Sequence, residues 1–248
     1  MDKLTSSLKR YPIIILHGWA IDEHHEQKWQ PFIDFLIVDG WTVRFLDLPG
    51  LSQPLEKEWH LNDFVNWVHE TIGQNKVILL GHSFGGQLAV RYTSVFPEQV
   101  ERLILIDPAG IRPFTWKARV KRKLFGTAAK FGKVLFPLEI GRVALHKLAR
   151  EKDYLQASPV MRKTMQNVLS DEVKTDFPRI TAQTCILWGE SDVAAPVAHA
   201  QLFSAGIEHS QLHFIAGARH SPQFTHVEQT AKQTIEFLEQ HNHNETPT

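Results

Sequence analysis

Gly81-His82-Ser83-Phe84-Gly85 stands between an apolar run, Val77-Ile78-Leu79-Leu80, and a helical stretch opening near Gln87. A serine at a tight strand-to-helix turn has its hydroxyl held clear of the sheet, and small flanking residues let the backbone turn without side-chain clash. That hydroxyl is a weak nucleophile at neutral pH. Nucleophilic chemistry therefore needs a base within hydrogen-bond reach and a third group to fix the tautomer of the base. Two residues qualify by type and place. Asp192 follows Thr184-Cys185-Ile186-Leu187-Trp188 through the break Gly189-Glu190-Ser191, and His220 follows Leu212-His213-Phe214-Ile215 through Ala216-Gly217-Ala218-Arg219. Asp107, in Leu105-Ile106-Asp107-Pro108, also follows an apolar run and is a second candidate for the acid. Groups at the carboxyl ends of strands in an open α/β sheet converge despite their sequence separation.

The elements that must position these residues alternate between apolar β-rich runs and helical stretches, which predicts a mostly parallel central sheet with helices on both faces. Strands are expected near 12–16, 42–46, 76–80, 102–106, 184–187 and 211–215, and helices over 27–38, 61–72, 86–95, 197–203 and 227–240. Val65, Val68 and Ile72 show the three-to-four spacing of a covered helical face. From Arg112 to Phe177 helical periodicity replaces this alternation. Val120, Leu124, Phe131 and Leu135 mark one helix face there, and a further helix starts at Ser158, an N-cap with Pro159 at the first position, and runs through Met161, Met165 and Leu169.

His17-Gly18-Trp19, Asp47-Leu48-Pro49-Gly50, Gly81-His82-Ser83-Phe84-Gly85-Gly86, Trp188-Gly189-Glu190-Ser191-Asp192 and Gly217-Ala218-Arg219-His220 occur in one order along the chain. In these motifs the sequence resembles the α/β-hydrolase superfamily. The resemblance implies Ser83 as nucleophile, Asp192 as orienting acid and His220 as base, with the backbone amides of Trp19 and Phe84 as the oxyanion hole. It implies a core over 1–111 and 178–248 and a helical cap, or lid, over 112–177. Only about ten residues precede the first of these strands, so the sheet is expected to be shortened at its N-terminal edge. Two positions depart from the family pattern: Ala20 and Ser52 stand where a second glycine is common in their loops.

The resemblance implies a serine hydrolase that cleaves a carboxylic ester of a small to medium acyl substrate through an acyl-enzyme. The same scaffold serves carbon–carbon bond hydrolases and thioesterases, and a slow-turnover ligand sensor would use the same pocket. The cap carries Lys117, Arg119, Lys121, Arg122, Lys123 and further basic residues, which read first as a solvated helix face and, as the sharper alternative, as a patch that attracts an anionic substrate, carrier or membrane surface.

Composition bounds the alternatives. The 248 residues contain 27 Lys and Arg against 27 Asp and Glu, so charge offers no reason to expect a nucleic-acid partner. Cys185 is the single cysteine and lies inside an apolar run, where it is expected to be a core residue. Fourteen histidines invite a metal, but His24 and His25 are adjacent in a polar stretch and no H-E-x-x-H or paired C-x-x-C spacing occurs. Neither a metal nor another cofactor is expected. With no signal-peptide core near Met1 and no run of membrane-spanning length, the expectation is a cytoplasmic protein acting on a small molecule.

Overall fold

The computed structural model describes residues 11–19, 25–51, 53–111 and 157–240. Ala20, Ser52, His24 and the segment 112–156, with its basic residues and the 120–135 helix face, lie outside the described residues. Six strands, β1 (Ile13–Leu16), β2 (Val43–Leu46), β3 (Val77–His82), β4 (Val100–Ile106), β5 (Gln183–Gly189) and β6 (Ser210–Ile215), form one sheet in the order β2-β1-β3-β4-β5-β6. All five pairings are parallel. The helices are α1 (His25–Val38), α2 (Leu61–Ile72), α3 (Phe84–Val95), α4 (Pro159–Ser170), α5 (Val197–Gly206), α6 (Pro222–Thr225) and α7 (Val227–Glu239).

The period of two along each strand divides the core. Ile13, Ile15, Ile78, Leu80, Ile104 and Ile106 pack with Trp29, Phe32 and Leu36 of α1 and with Phe237 and Leu238 of α7. Ile14, Leu16, Leu79, Leu103, Leu105 and Ile186 face the other way, onto Phe64 and Val68 of α2, Leu88 of α3 and Phe203 of α5. The central runs are apolar at every position because both sheet faces are covered. Cys185 of β5 is fully buried on the α7 side of the sheet, and burial pushes its thiol up to about 12, as suits a core residue.

The expected N-cap at Ser158 is present: its Oγ accepts from the Met161 amide at 3.1 Å, with Pro159 next. Met161, Met165 and Val168 are buried with the α2–α3 side of the core, whereas Leu169 is 61% exposed and stands off this stripe. Side chains then fasten α4 to the sheet-covering layer. Gln87 of α3 donates to the Val168 and Asp171 carbonyls at 3.0 Å each, and the Trp59 amide donates to Thr164 Oγ1 at 3.0 Å. Arg91 of α3 pairs with buried Asp176 at 2.6 Å. No helix among the described residues is long and apolar enough to cross a membrane.

Candidate active site

Strand β3 does not stop at Leu80 but pairs with β4 through Gly81↔Leu105 and His82↔Ile106. The chain then reverses at Ser83, whose φ of 53° is in the left-handed region that L-residues rarely adopt. The turn is fixed on every side. The Ser83 amide donates to the Ile106 carbonyl at 3.1 Å, and the Ser83 carbonyl accepts from the Gln87 and Ala109 amides at 3.0 and 2.9 Å. Gly85 lets α3 approach β1: a Cβ there would lie 1.9 Å from the Leu16 carbonyl oxygen. Strain held by this many bonds at one residue is typical of functional positions.

The three residues singled out by type and strand position meet at the carboxyl edge of the sheet. Ser83 Oγ lies 2.9 Å from His220 Nε2, and His220 Nδ1 lies 2.7 Å from Asp192 Oδ2. Asp192 Oδ1 accepts from the amides of Ala194 and Ala195 at 2.7 and 3.0 Å. With its carboxylate so engaged, Asp192 fixes the proton of the imidazole on Nδ1. Nε2 is then left to accept from the serine hydroxyl, an arrangement that can move a proton off Ser83. Ser83 and Asp192 are buried at 5% and 6% exposure.

Phe84 occupies the first position of α3, where helix geometry leaves the amide without an intrahelical acceptor and the macrodipole favours negative charge. The Trp19 ring packs edge-on against Phe84, with centroids 5.0 Å apart. His17 braces the same loop: its Nδ1 donates to the Gly18 carbonyl at 2.8 Å and its Nε2 accepts from the Leu48 amide at 3.0 Å. Burial, with His25 nearby, pushes His17 down to about 3, so the ring is neutral and both nitrogens have assigned partners.

Asp107 does not bond the amides beside Pro108, the ordinary use of an aspartate after a strand. It is fully buried, its φ is 41°, and its Oδ1 accepts from the Gly189 amide of β5 at 2.8 Å. Asp107, Asp192 and His220 bring one polar atom each within 4.8 Å of one another, but His220 Nδ1 is already engaged by Asp192. A residue not anticipated from sequence is His82. Its Nε2 donates to the His220 backbone carbonyl at 2.8 Å, and burial holds its ring well below the usual histidine range.

A cavity of about 430 Å³ opens beside His220, walled by Pro108, Gly110, Ile111, Leu169, Val193 and His199 among others. A cavity of about 550 Å³ lies elsewhere, near Tyr11, Thr42, Arg44 and Lys76, at the amino ends of the strands where no member of the hydrogen-bonded chain stands.

A family model described as the alpha/beta hydrolase fold matches residues 11–227. The chain belongs to that family and is an enzyme of the α/β-hydrolase class. It is 24% identical over 256 residues to a 2-hydroxy-6-oxononadienedioate/2-hydroxy-6-oxononatrienedioate hydrolase of Pseudomonas putida, covering 91% of this chain and 87% of that protein. It is 25% identical over 257 residues to the human monoacylglycerol lipase ABHD6, covering 91% and 74%. A Caenorhabditis elegans abhydrolase domain-containing protein is 34% identical over 110 residues, 41% of this chain and only 24% of that protein. Among solved structures, a meta-cleavage product hydrolase from Pseudomonas fluorescens superposes with a TM-score of 0.67 at 19% identity, over 93% of this chain and 91% of that one. A membrane phospholipase A superposes with a TM-score of 0.71 at 23% identity, over 94% and 80%.

Proposed function

We propose that the chain is a serine hydrolase that cleaves a carboxylic ester of a small to medium acyl substrate through an acyl-enzyme. The observation that carries this reading is the continuous chain Ser83 Oγ, His220, Asp192, with contacts of 2.9 and 2.7 Å. In the first half, His220 Nε2 takes the Ser83 proton as Oγ bonds to the acyl carbon. The amides of Trp19 and Phe84 hold the oxyanion, where preorganised donors stabilise developing charge. The tetrahedral adduct collapses, the bond to the leaving oxygen breaks, and His220 returns the proton to the departing alcohol. In the second half His220 deprotonates a water that attacks the acyl carbon, and Ser83 leaves with that proton restored. No cofactor enters this sequence of steps.

The substrate site in this reading is the cavity beside His220, in which Ile111, Leu169 and Val193 supply apolar wall. The domain division at 112–177 belongs to the same proposal, as does the attraction of an anionic substrate to the basic residues of that stretch. A second reading, hydrolysis of a carbon–carbon bond in a keto acid, draws support from the relatives named as 2-hydroxy-6-oxo acid hydrolases.

A fluorophosphonate probe, followed by a panel of p-nitrophenyl esters, a thioester and a 2-hydroxy-6-oxo dienoic acid, tests both. We expect labelling lost in Ser83→Ala and turnover of the esters. Turnover of the keto acid alone would replace the ester reading with the second one, and labelling without any turnover would favour a ligand sensor.

A further inference from the structure

Two carboxyl groups stand side by side behind His220, and their surroundings are unequal. Asp192, beyond the end of β5, has three donors: the Ala194 and Ala195 amides on Oδ1 and His220 Nδ1 on Oδ2. Asp107, at the end of the neighbouring β4, has one, the Gly189 amide on Oδ1. Its Oδ2 is buried and receives no hydrogen bond. The Asp107 side chain has no exposure to solvent, and a polar atom of each of Asp107, Asp192 and His220 lies within 4.8 Å of the others. Two carboxylates at this separation cannot both carry charge cheaply, so the pair sheds the charge that is less well solvated.

We propose that Asp107 is a positioning residue: a neutral carboxylic acid whose Oδ2–H donates to Asp192 and so holds the triad carboxylate against His220. This rests on the Ser83–His220–Asp192 reading of the site. The proton has one place to be. Asp192 is surrounded by donors that satisfy a negative charge, whereas the second oxygen of Asp107 has a lone pair aimed at no donor and becomes satisfied only by donating. Burial first, and the Asp192 charge second, push Asp107 up to about 8, against the lowering effect of the Gly189 amide. Among the described groups that bear on the pair, His199 of α5 also feels the Asp192 charge, and burial holds His199 below the usual histidine range.

A pH dependence follows. Below about 8 the pair carries one charge. Above it Asp107 ionises, its Oδ2–H no longer donates to Asp192, and a second negative charge beside the triad carboxylate pushes that carboxylate out of its place against His220. Ester kcat/KM therefore falls on the alkaline side. In Asp107→Asn the carboxamide donates to Asp192 and accepts from Gly189 but cannot ionise, so this alkaline fall disappears. Asp107→Leu removes both bonds and is expected to lower kcat by about tenfold or more, with KM little moved, the scale on which residues supporting a site act. Asn should recover most of that loss.

The direct test is a carboxyl-carbon NMR titration of aspartate-labelled protein, with the Asp107 signal assigned by its loss in Asp107→Asn. The titration is recorded on both the wild type and Ser83→Ala. A signal titrating near pH 8 in both proteins is the expected result. A signal titrating in the ordinary carboxylate range overturns the proposal and leaves the triad reading standing. Severe loss of kcat in Asp107→Asn with near-normal Asp192→Asn also overturns it, since Asp107 would then be the working acid. If Ser83→Ala hydrolyses esters normally while Asp107 still titrates near pH 8, the reading of the triad fails and the acid pair does not.

Discussion

His82 holds the main chain of His220: the imidazole beside Ser83 donates from Nε2 to the His220 carbonyl at 2.8 Å. The residue preceding the proposed nucleophile therefore fixes the backbone that carries the proposed base, across a gap of two strands. His82→Phe preserves a buried ring but removes this donor. We expect kcat to fall by about tenfold with little change in KM, on the scale of lost orienting contacts. A fall in thermal stability with kcat intact would reduce His82 to a packing role.

Ser83 and His220 should behave as a unit. Ser83→Ala and His220→Ala are each expected to reduce ester kcat by several orders of magnitude, and the double variant by little more, because each alone abolishes covalent catalysis. Asp192→Asn should cost about ten-thousand-fold in kcat, the scale of a wrong imidazole tautomer. Steady-state kinetics on the four proteins checks this, and additive losses would mean that the two residues act separately.

Acid should unfold the protein through its neutral histidines. Burial depresses His17 to about 3 in the folded state and lowers His82 as well, while in the unfolded chain both take protons near 6.5. Below that value the unfolded state binds more protons, so stability is fully present above about 6.5 and is lost as pH falls toward 3. The slope is about 1.4 kcal/mol per pH unit for each such histidine. Denaturant titrations between pH 7 and 4 measure it, and His17→Asn should flatten the curve if the variant folds.

Gly85 admits no side chain. A Cβ at this position would press on the backbone of Leu16 and His17, with 1.9 Å to the nearest oxygen, and backbone in a central strand cannot yield. Gly85→Ala should fail to accumulate as folded protein, whereas Gly73→Ala, with nothing within 4 Å of the added carbon, should lose only what its φ of 66° imposes. Circular dichroism and yield of the two variants compare them. Equal stability would contradict the close approach of α3 to β1.

What could be read in advance was what repeats or accumulates. The apolar runs ending at Leu16, Leu80 and Ile106 show as strands because both sheet faces are covered, and His220 and Asp192 are legible because each follows such a run. Gly81 and His82 belong to β3, yet neither carries an apolar signal, so the apolar run stops at Leu80, two residues before the strand does. The short helix α6 after His220 has too few residues to show a period. Asp107, by residue type and by its place before Pro108, fits an aspartate that closes its own turn. Its bond to Gly189 depends on β4 and β5 being neighbours, a matter of strand order that no local pattern encodes. The fastening of α4 by Gln87 is likewise a contact between distant polar residues, whose types fit many other partners.

Ser83 precedes the stretch between Gly110 and Val173, and Asp192 and His220 follow it, while the Val173 amide bonds the Gly110 carbonyl at 3.0 Å. The two ends of that stretch are thus joined at a fixed point in the frame. Lengthening a closed loop costs little, about 0.6 kcal/mol for each doubling. A change in the length of the stretch between Gly110 and Val173 therefore leaves those two anchor points, and the strand ends that carry Ser83, Asp192 and His220, where they are.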